Sequence, residues 1–534
     1  METVPSPAVE AAAIDTATRA KHNSTSRQIR GSSLMLVGRT ISLMANFAIQ
    51  VLIVRYLSKA DYGVFAYAMS FVTLGQTVAT FGLDRAITRF VPIYHERRDY
   101  QKMFGTILLV IGTIVSLGAL MVIAAFAFQD VIGRTLLNEN QGNKDQVIAL
   151  LLILIGLAPV QALDDLIAAM FAIFASPRAI FFRKYILSPG LKLSVVLLLM
   201  LFRSDEFFLA AGYLAAGILG TSVYAFALVH TLKKQQLFAQ FNFKSISVPA
   251  RELFAFTIPL LTSDLVYVLM SSSDAVLLGH FRSTTEVAAF RAILPSAVLN
   301  QFVLQSFTIL FTPIAARLFA RNDYAGINNL YWQTAVWTSV LSFPIFALTF
   351  SLASPLTVLL YGEQYASSAV LLALLSFGYY FNAALGFNGL TLKVYGKLRY
   401  IVVINILAAV VNIAINLLLI PRYGALGAAC GTCGTMVIHN LLKQAGLRFG
   451  TGISLFERKH LKVYASVVLA AAGLLAIQAV MPQNYSLAQP YVYASFGITA
   501  VVSVLVIGLN RKSLDIGQTF PELLKIPLMR KLFT

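Results

Sequence analysis

Charge is what this 534-residue chain has least of: Asp, Glu, Lys and Arg together make up 12%, about half the share usual in soluble domains. A composition that poor in charge excludes an ordinary water-soluble globule. Cysteine is nearly absent, with Cys430 and Cys433 alone, too few for a disulfide framework. The six histidines are scattered and show no ligand spacing, so no metal site is expected. Paired catalytic carboxylates, a nucleophile elbow and a phosphate-binding glycine loop are all missing. An enzyme reading, and a cofactor or nucleotide to drive the chain, therefore have no residues to rest on. Long loops on the outer side are missing too. A membrane glycan polymerase or ligase would hold its catalytic groups there, so that class is disfavoured.

Apolar residues are what the chain has: 58% of the total. About fourteen apolar runs, each near the length of a spanning helix, begin near Ser33, Gly63, Met103, Gln146, Ile180, Phe207, Leu253, Val287, Leu330, Ser367, Tyr400, Gly424, Leu461 and Tyr491. The expected fold is an all-α polytopic membrane protein of about 14 transmembrane helices. The formal charge of +18 does not indicate nucleic acid. Loops assigned to one side carry roughly three quarters of the 41 lysines and arginines, the positive-inside asymmetry. That bias places both termini in the cytoplasm and the chain in a plasma membrane, with some anionic-lipid contact. Residues 1–32 lack the order of a signal peptide, and Glu2, Glu10 and Asp15 argue against a transit peptide.

The longest polar interruption, 231–251, follows six runs and precedes six more. The expected organisation is a tail over 1–32, a six-helix bundle over 33–230, a linker over 231–251, and a second six-helix bundle over 252–446. Two further spans over 447–510 and a tail over 511–534 complete it. Six is even, so the halves would be parallel pseudo-repeats. Two such halves already form a pathway, so a monomer is expected.

Charged and amide side chains inside apolar runs are costly and mark candidate sites. Arg39, Asn46 and Gln50 share one face of the first run and would form a cationic wall. Asp164 and Asp165 lie deep in the fourth run and Lys192 in the fifth, either as a structural acid–lysine pair or as a coupling site. Asp264, Tyr267, Ser271 and Asp274 recur at spacings that draw a polar stripe on the seventh, with Asp274 near its outer end. Arg291 opens the eighth, followed by Asn300 and Gln301. Asp84, Arg85 and Arg89 at the cytoplasmic end of the second run are candidate gate residues. Cys430-Gly-Thr-Cys433 follows Gly427-x-x-x-Gly431 within a small-residue run and reads as close helix packing. Pro159, Pro189, Pro259, Pro295, Pro313 and Pro344 interrupt apolar runs and allow bends.

Three segments carry a family resemblance. The first is Asn405…Asn412-Ile-Ala-Ile-Asn416-Leu-Leu-Leu-Ile-Pro421-Arg-Tyr423-Gly424-Ala-Leu-Gly427-Ala-Ala. The others are Arg55-Tyr-Leu-Ser-Lys-Ala-Asp61-Tyr62-Gly63 and Asp274-x-x-x-Leu-Gly279. The chain resembles the polysaccharide transporter branch of the multidrug/oligosaccharidyl-lipid/polysaccharide exporter superfamily, which includes the O-antigen flippases. Arg291 departs from the Tyr that many relatives carry there. The resemblance implies a lipid-linked oligosaccharide as substrate, with a polysaccharide polymerase and glycosyltransferases as partners. It implies Arg39 and Lys192 at the pyrophosphate, and Asn46, Gln50, Asn300 and Gln301 at sugar hydroxyls. Arg291 would make the outward exit more cationic. Asp164, Asp165, Asp264 and Asp274 become candidates for coupling to a proton or sodium ion. A multidrug or organic-cation exporter of the same superfamily is the alternative.

Overall fold

In a computed structural model, the described residues are 38–136, 144–174, 180–241, 246–480 and 489–514. The N-terminal tail and nearly all of the C-terminal tail lie outside them. Among the described residues the chain is helical and contains no strand.

Among the described residues, twelve helical segments are long and apolar enough to cross a membrane. They are α2 (Lys59–Glu96), α3 (Tyr100–Ala127), α4 (Lys144–Phe174), α5 (Phe182–Phe202), α6 (Glu206–Lys234), α8 (Thr284–Thr308), α9 (Tyr324–Ser351), α10 (Glu363–Val394), α11 (Leu398–Tyr423), α12 (Ala425–Thr451), α13 (Arg458–Val480) and α14 (Pro490–Leu509). Two more helices, α1 (38–56) and α7 (Ala250–Phe281), complete the series. Each apolar run thus falls on one of these helices. Twelve meet the length and apolarity of a span, and α1 and α7 are helical without being in that set. Side chains such as Leu201, Phe226, Leu418 and Leu469 are two-thirds exposed or more. Large apolar groups in that position fit hydrocarbon rather than water.

Short polar turns start the helices in a recurring way. Ser58, Asp99, Asp205, Ser283 and Asp323 each accept a hydrogen bond from the backbone N–H three residues on, which satisfies an otherwise orphaned donor. The spans are not straight. α2 breaks at Phe81–Gly82, where both residues have positive φ. α8 tightens into a 3₁₀ turn at Leu299–Gln301 beyond Pro295. α9 widens to a π turn at Ala347–Ser351 beyond Pro344, and α5 has a π turn at Phe182–Leu187 just before Pro189. Proline and π-bulges are the ordinary causes of such bends.

The core forks. At the end bearing the Arg55–Gly63 and Arg282–Thr284 turns, one apolar cluster joins α1, α2, α4–α8 and α10–α12. A Cβ on Gly63 would strike the backbone of Thr284, and one on Gly279 would strike the ring of Tyr67, so α2 touches α7 and α8 there with nothing between. Toward the basic end the core divides. One cluster belongs to α2–α6 with Leu253 of α7. Others lie among α8–α14, with Trp332 and Trp337 at their centres.

Candidate substrate cavity

Between the two branches of the core lies a cavity of about 630 Å³. α1, α2, α5, α6 and α8 form its wall. Four cations line it: Arg39, Lys184, Lys192 and Arg291. No Asp or Glu does so among the described residues.

α1 brings Arg39, Asn46 and Gln50 to this wall together, as one helical face should. Arg39 spans to α8, where its Nη2 donates to Gln305 Oε1 at 2.7 Å and its Nη1 to the Gln305 carbonyl at 3.4 Å. Asn46 Nδ2 donates to the Ser42 carbonyl at 2.7 Å. Gln50 Nε2 donates to the Tyr62 hydroxyl. Lys192 Nζ sits 5.9 Å from the centre of the Tyr213 ring, a cation–π approach. Arg291 Nη2 donates to Ser70 Oγ at 3.1 Å and to the Ser271 carbonyl at 3.3 Å.

A second cavity of about 220 Å³ lies within α2 and α4–α6 and shares Lys192 and Tyr213 with the first. Asp164 and Asp165 face it. Gln76 Nε2 donates to Asp165 at 2.7 Å. Asp164 is held by Arg183, which donates to both its carboxylate and its backbone carbonyl. Arg183 is 4% exposed, and its guanidinium stacks 4.0 Å from the Tyr224 ring centre.

A third cavity, about 290 Å³, lies nearer the basic end and contains Asp84, Arg85, Asp165 and Asp264. There Arg85 of α2 forms an ion pair with Asp264 of α7. Tyr94 donates to Glu252 at 3.1 Å along the same seam, and Arg89 lies over the rings of Phe90 and Phe256. These contacts tie α7, the first helix of the second half, to α2 at the basic end.

Asp274 is 3% exposed and lies among α7, α11 and α12. Asn416 Nδ2 donates to it at 2.5 Å and Thr432 Oγ1 at 2.8 Å. Asn412 joins the cluster through Ser273 and Thr435. The Asn416 Oδ1 is buried with no partner.

Residues 29–319, more than half the chain, match the family model described as polysaccharide biosynthesis protein. The chain belongs to that family. A second model, MatE, matches residues 259–418. The chain is 24% identical over 429 residues to an uncharacterized membrane protein of Methanocaldococcus jannaschii, covering 76% of this chain and 81% of the relative. It is 25% identical over 179 residues to the capsular polysaccharide biosynthesis protein CapF of Staphylococcus aureus, covering 34% of this chain and 45% of CapF. In fold it is similar to the lipid II flippase MurJ in an inward closed conformation, with a TM-score of 0.69 at 14% identity over 91% of this chain and 99% of MurJ. It is also similar to an inward-facing multidrug resistance MATE family transporter, with a TM-score of 0.61 at 14% identity over 77% and 94% of the two chains. This polysaccharide biosynthesis protein is therefore a multi-pass membrane protein with a flippase or transporter fold.

Several expectations from the sequence change in this fold. Asn300 and Gln301 are absent from the described wall of the main cavity. The 3₁₀ turn at Leu299–Gln301 rotates them, and Asn300 is fully buried, donating to Thr349 Oγ1 at 3.0 Å. Gln305, one turn on, takes the wall position instead. Asp274, toward the Arg282 end of α7, is buried. The stripe on α7 splits, since Asp264 turns to Arg85 and Asp274 to α11 and α12; the side chain of Tyr267 lies outside the described residues. Asp164 pairs with Arg183 rather than Lys192. Arg183 and Lys184 lie on the π turn of α5, which buries Arg183 and leaves Lys184 on the wall of the main cavity. The nearby Pro189 is the one signal of that bulge in the sequence.

Proposed function

We propose that this protein is a flippase. It turns a polyprenyl-pyrophosphate-linked oligosaccharide, an O-antigen, capsule or exopolysaccharide repeat unit, from the cytoplasmic to the outer leaflet. The observation that carries this reading is the main cavity, with four cations and no described carboxylate in its wall. A pyrophosphate and a sugar chain do not cross hydrocarbon unaided. Arg39 and Lys184 match the pyrophosphate charge, while Asn46 and Gln50 offer amides to sugar hydroxyls. The polyprenyl tail stays in lipid, outside the α1–α8 seam that Arg39 and Gln305 close. An organic cation, cargo for the alternative drug exporter, would be repelled by the same wall.

Movement follows from the forked core. With the basic face toward the cytoplasm, as the loop charges favour, the two six-helix halves rock about the shared cluster at the outer end. The Arg85–Asp264 pair latches the cytoplasmic side. Asp274 is the favoured coupling site for a proton or sodium ion: a buried carboxylate without a cation in contact, beside the orphaned Asn416 oxygen. Asp164 and Asp264 are instead each paired with an arginine. The protein works as a monomer in the plasma membrane, supplied by glycosyltransferases and drained by a polymerase.

The test is the leaflet position of lipid-linked oligosaccharide in cells lacking this protein. A membrane-impermeant glycosidase on spheroplasts reads it. Wild type is expected to restore outer exposure, and Arg39→Ala is not. Equal outer exposure without the protein, and with no redundant flippase, would overturn the reading.

A further inference from the structure

The cavity holds more positive charge than one headgroup uses. If the protein carries a polyprenyl-linked glycan, on which the following rests, the pyrophosphate is esterified at both ends and keeps one acidic oxygen on each phosphorus. That cannot balance four cations.

The cations are also too far apart to share it. Arg39 meets α8 at Gln305, while Arg291 lies fourteen residues earlier on the same helix, about 21 Å along an α-helical axis. Lys184 belongs with Arg39, because Gly38 packs on Phe181 and Tyr185. Lys192 lies eight residues further along α5, about 12 Å deeper. The cavity therefore has a doubly cationic end, a single cation midway, and Arg291 alone at the far end.

Arg291 is half-buried, and its described contacts are to neutral oxygens of Ser70 and Ser271. Its Nε is buried with no partner. The nearest acid on the adjoining helix, Asp274, is committed to Asn416 and Thr432 and forms no described ion pair with it. A guanidinium within a membrane span and without a contacting anion is costly, and its planar fork fits a carboxylate. The geometry points to a second anion subsite at Arg291, which takes the carboxylate of a uronic acid several sugars away from the pyrophosphate. The substrate is thus an acidic oligosaccharide, and Arg291 sets that specificity.

The test uses the full chain in proteoliposomes with two probes: undecaprenyl-pyrophosphate tetraglucose, and the same lipid with glucuronate as its distal sugar. Flipping of each is measured for wild type, Arg291→Gln, Arg291→Lys and Arg39→Gln. Wild type is expected to prefer the acidic probe by about tenfold, the size of one charge-assisted hydrogen bond. Arg291→Gln brings the ratio to about one, Arg291→Lys keeps a preference of the same sign, and Arg39→Gln slows both probes while keeping the ratio. Equal flipping of the two probes by wild type, or a preference that survives in Arg291→Gln, overturns the acidic subsite and leaves the flippase reading standing. No flipping of either probe by wild type overturns the flippase reading, and the subsite falls with it.

Discussion

Removing the charge of Arg183 gives the sharpest test of how the first half is held together. Its guanidinium has no water to retreat to, being 4% exposed, stacked on Tyr224 and bonded to Asp164. Asp164 is less confined, with 37% of its side chain exposed toward the second cavity. Breaking a buried pair by removing one partner costs about 3–5 kcal/mol, and the partial wetting of Asp164 puts Arg183→Met at about 3 kcal/mol. Asp164→Leu leaves the fully buried cation alone and is at least as damaging. Replacing both partners removes the unpaired charge and restores apolar packing, so the double variant should lie within about 1 kcal/mol of wild type. The cycle then yields a coupling of about 5 kcal/mol, beyond the usual range for neighbours that merely touch. Monodispersity on size exclusion after heating in detergent is the assay. Tryptophan fluorescence would miss the effect, because Trp332 and Trp337 both lie in α9. Singles and double destabilised additively would refute the reasoning, and so would Arg183→Met as mild as a surface change.

Charge swap at the latch, Arg85→Asp with Asp264→Arg, should recover the transport lost in either single variant. Because the pair is part-exposed it is worth at most about 1 kcal/mol, so each single shifts the open-to-closed ratio by no more than about fivefold, readable by spin-label distances. Asp274→Asn should abolish any sodium or pH dependence of flipping while the purified protein stays folded; unchanged ion dependence would remove Asp274 as the coupling site. Glu457, in the turn between α12 and α13, is pushed up by burial, but hydrogen bonds from Lys459 and Asn328 outweigh that and hold its carboxyl below the ordinary value. A depressed carboxyl stabilises the fold above its unfolded value and loses that stabilisation as pH falls through the folded one. Hydrogen exchange around 452–460 should therefore rise only below about pH 4, and Asn328→Ala should move the onset upward.

Spans were legible in the sequence because hydrocarbon imposes a length and a composition that leave little choice. One-face relations on a single straight helix were legible too, which is why Arg39, Asn46 and Gln50 arrive on one wall. Legibility failed wherever helical phase was broken. The π turn of α5 rotates Arg183 inward, and the 3₁₀ turn of α8 exchanges Asn300 and Gln301 for Gln305. It failed again across helices. Nothing in a single sequence says that Asn416 of α11 reaches Asp274 of α7, or that Arg85 meets Asp264 from 179 positions away.

The contacts of Gly63 with Thr284 and of Gly279 with Tyr67 have a kinetic meaning. A seal made from side chains can leak as rotamers flip, one at a time and quickly. Here at least one surface of each contact is bare backbone, with nothing to swing aside. Passage at that end requires α2 to lift away from α7 and α8 as a body. Opening is then a rare, concerted event with a steep temperature dependence, and small ions find no partial route through while the door is shut.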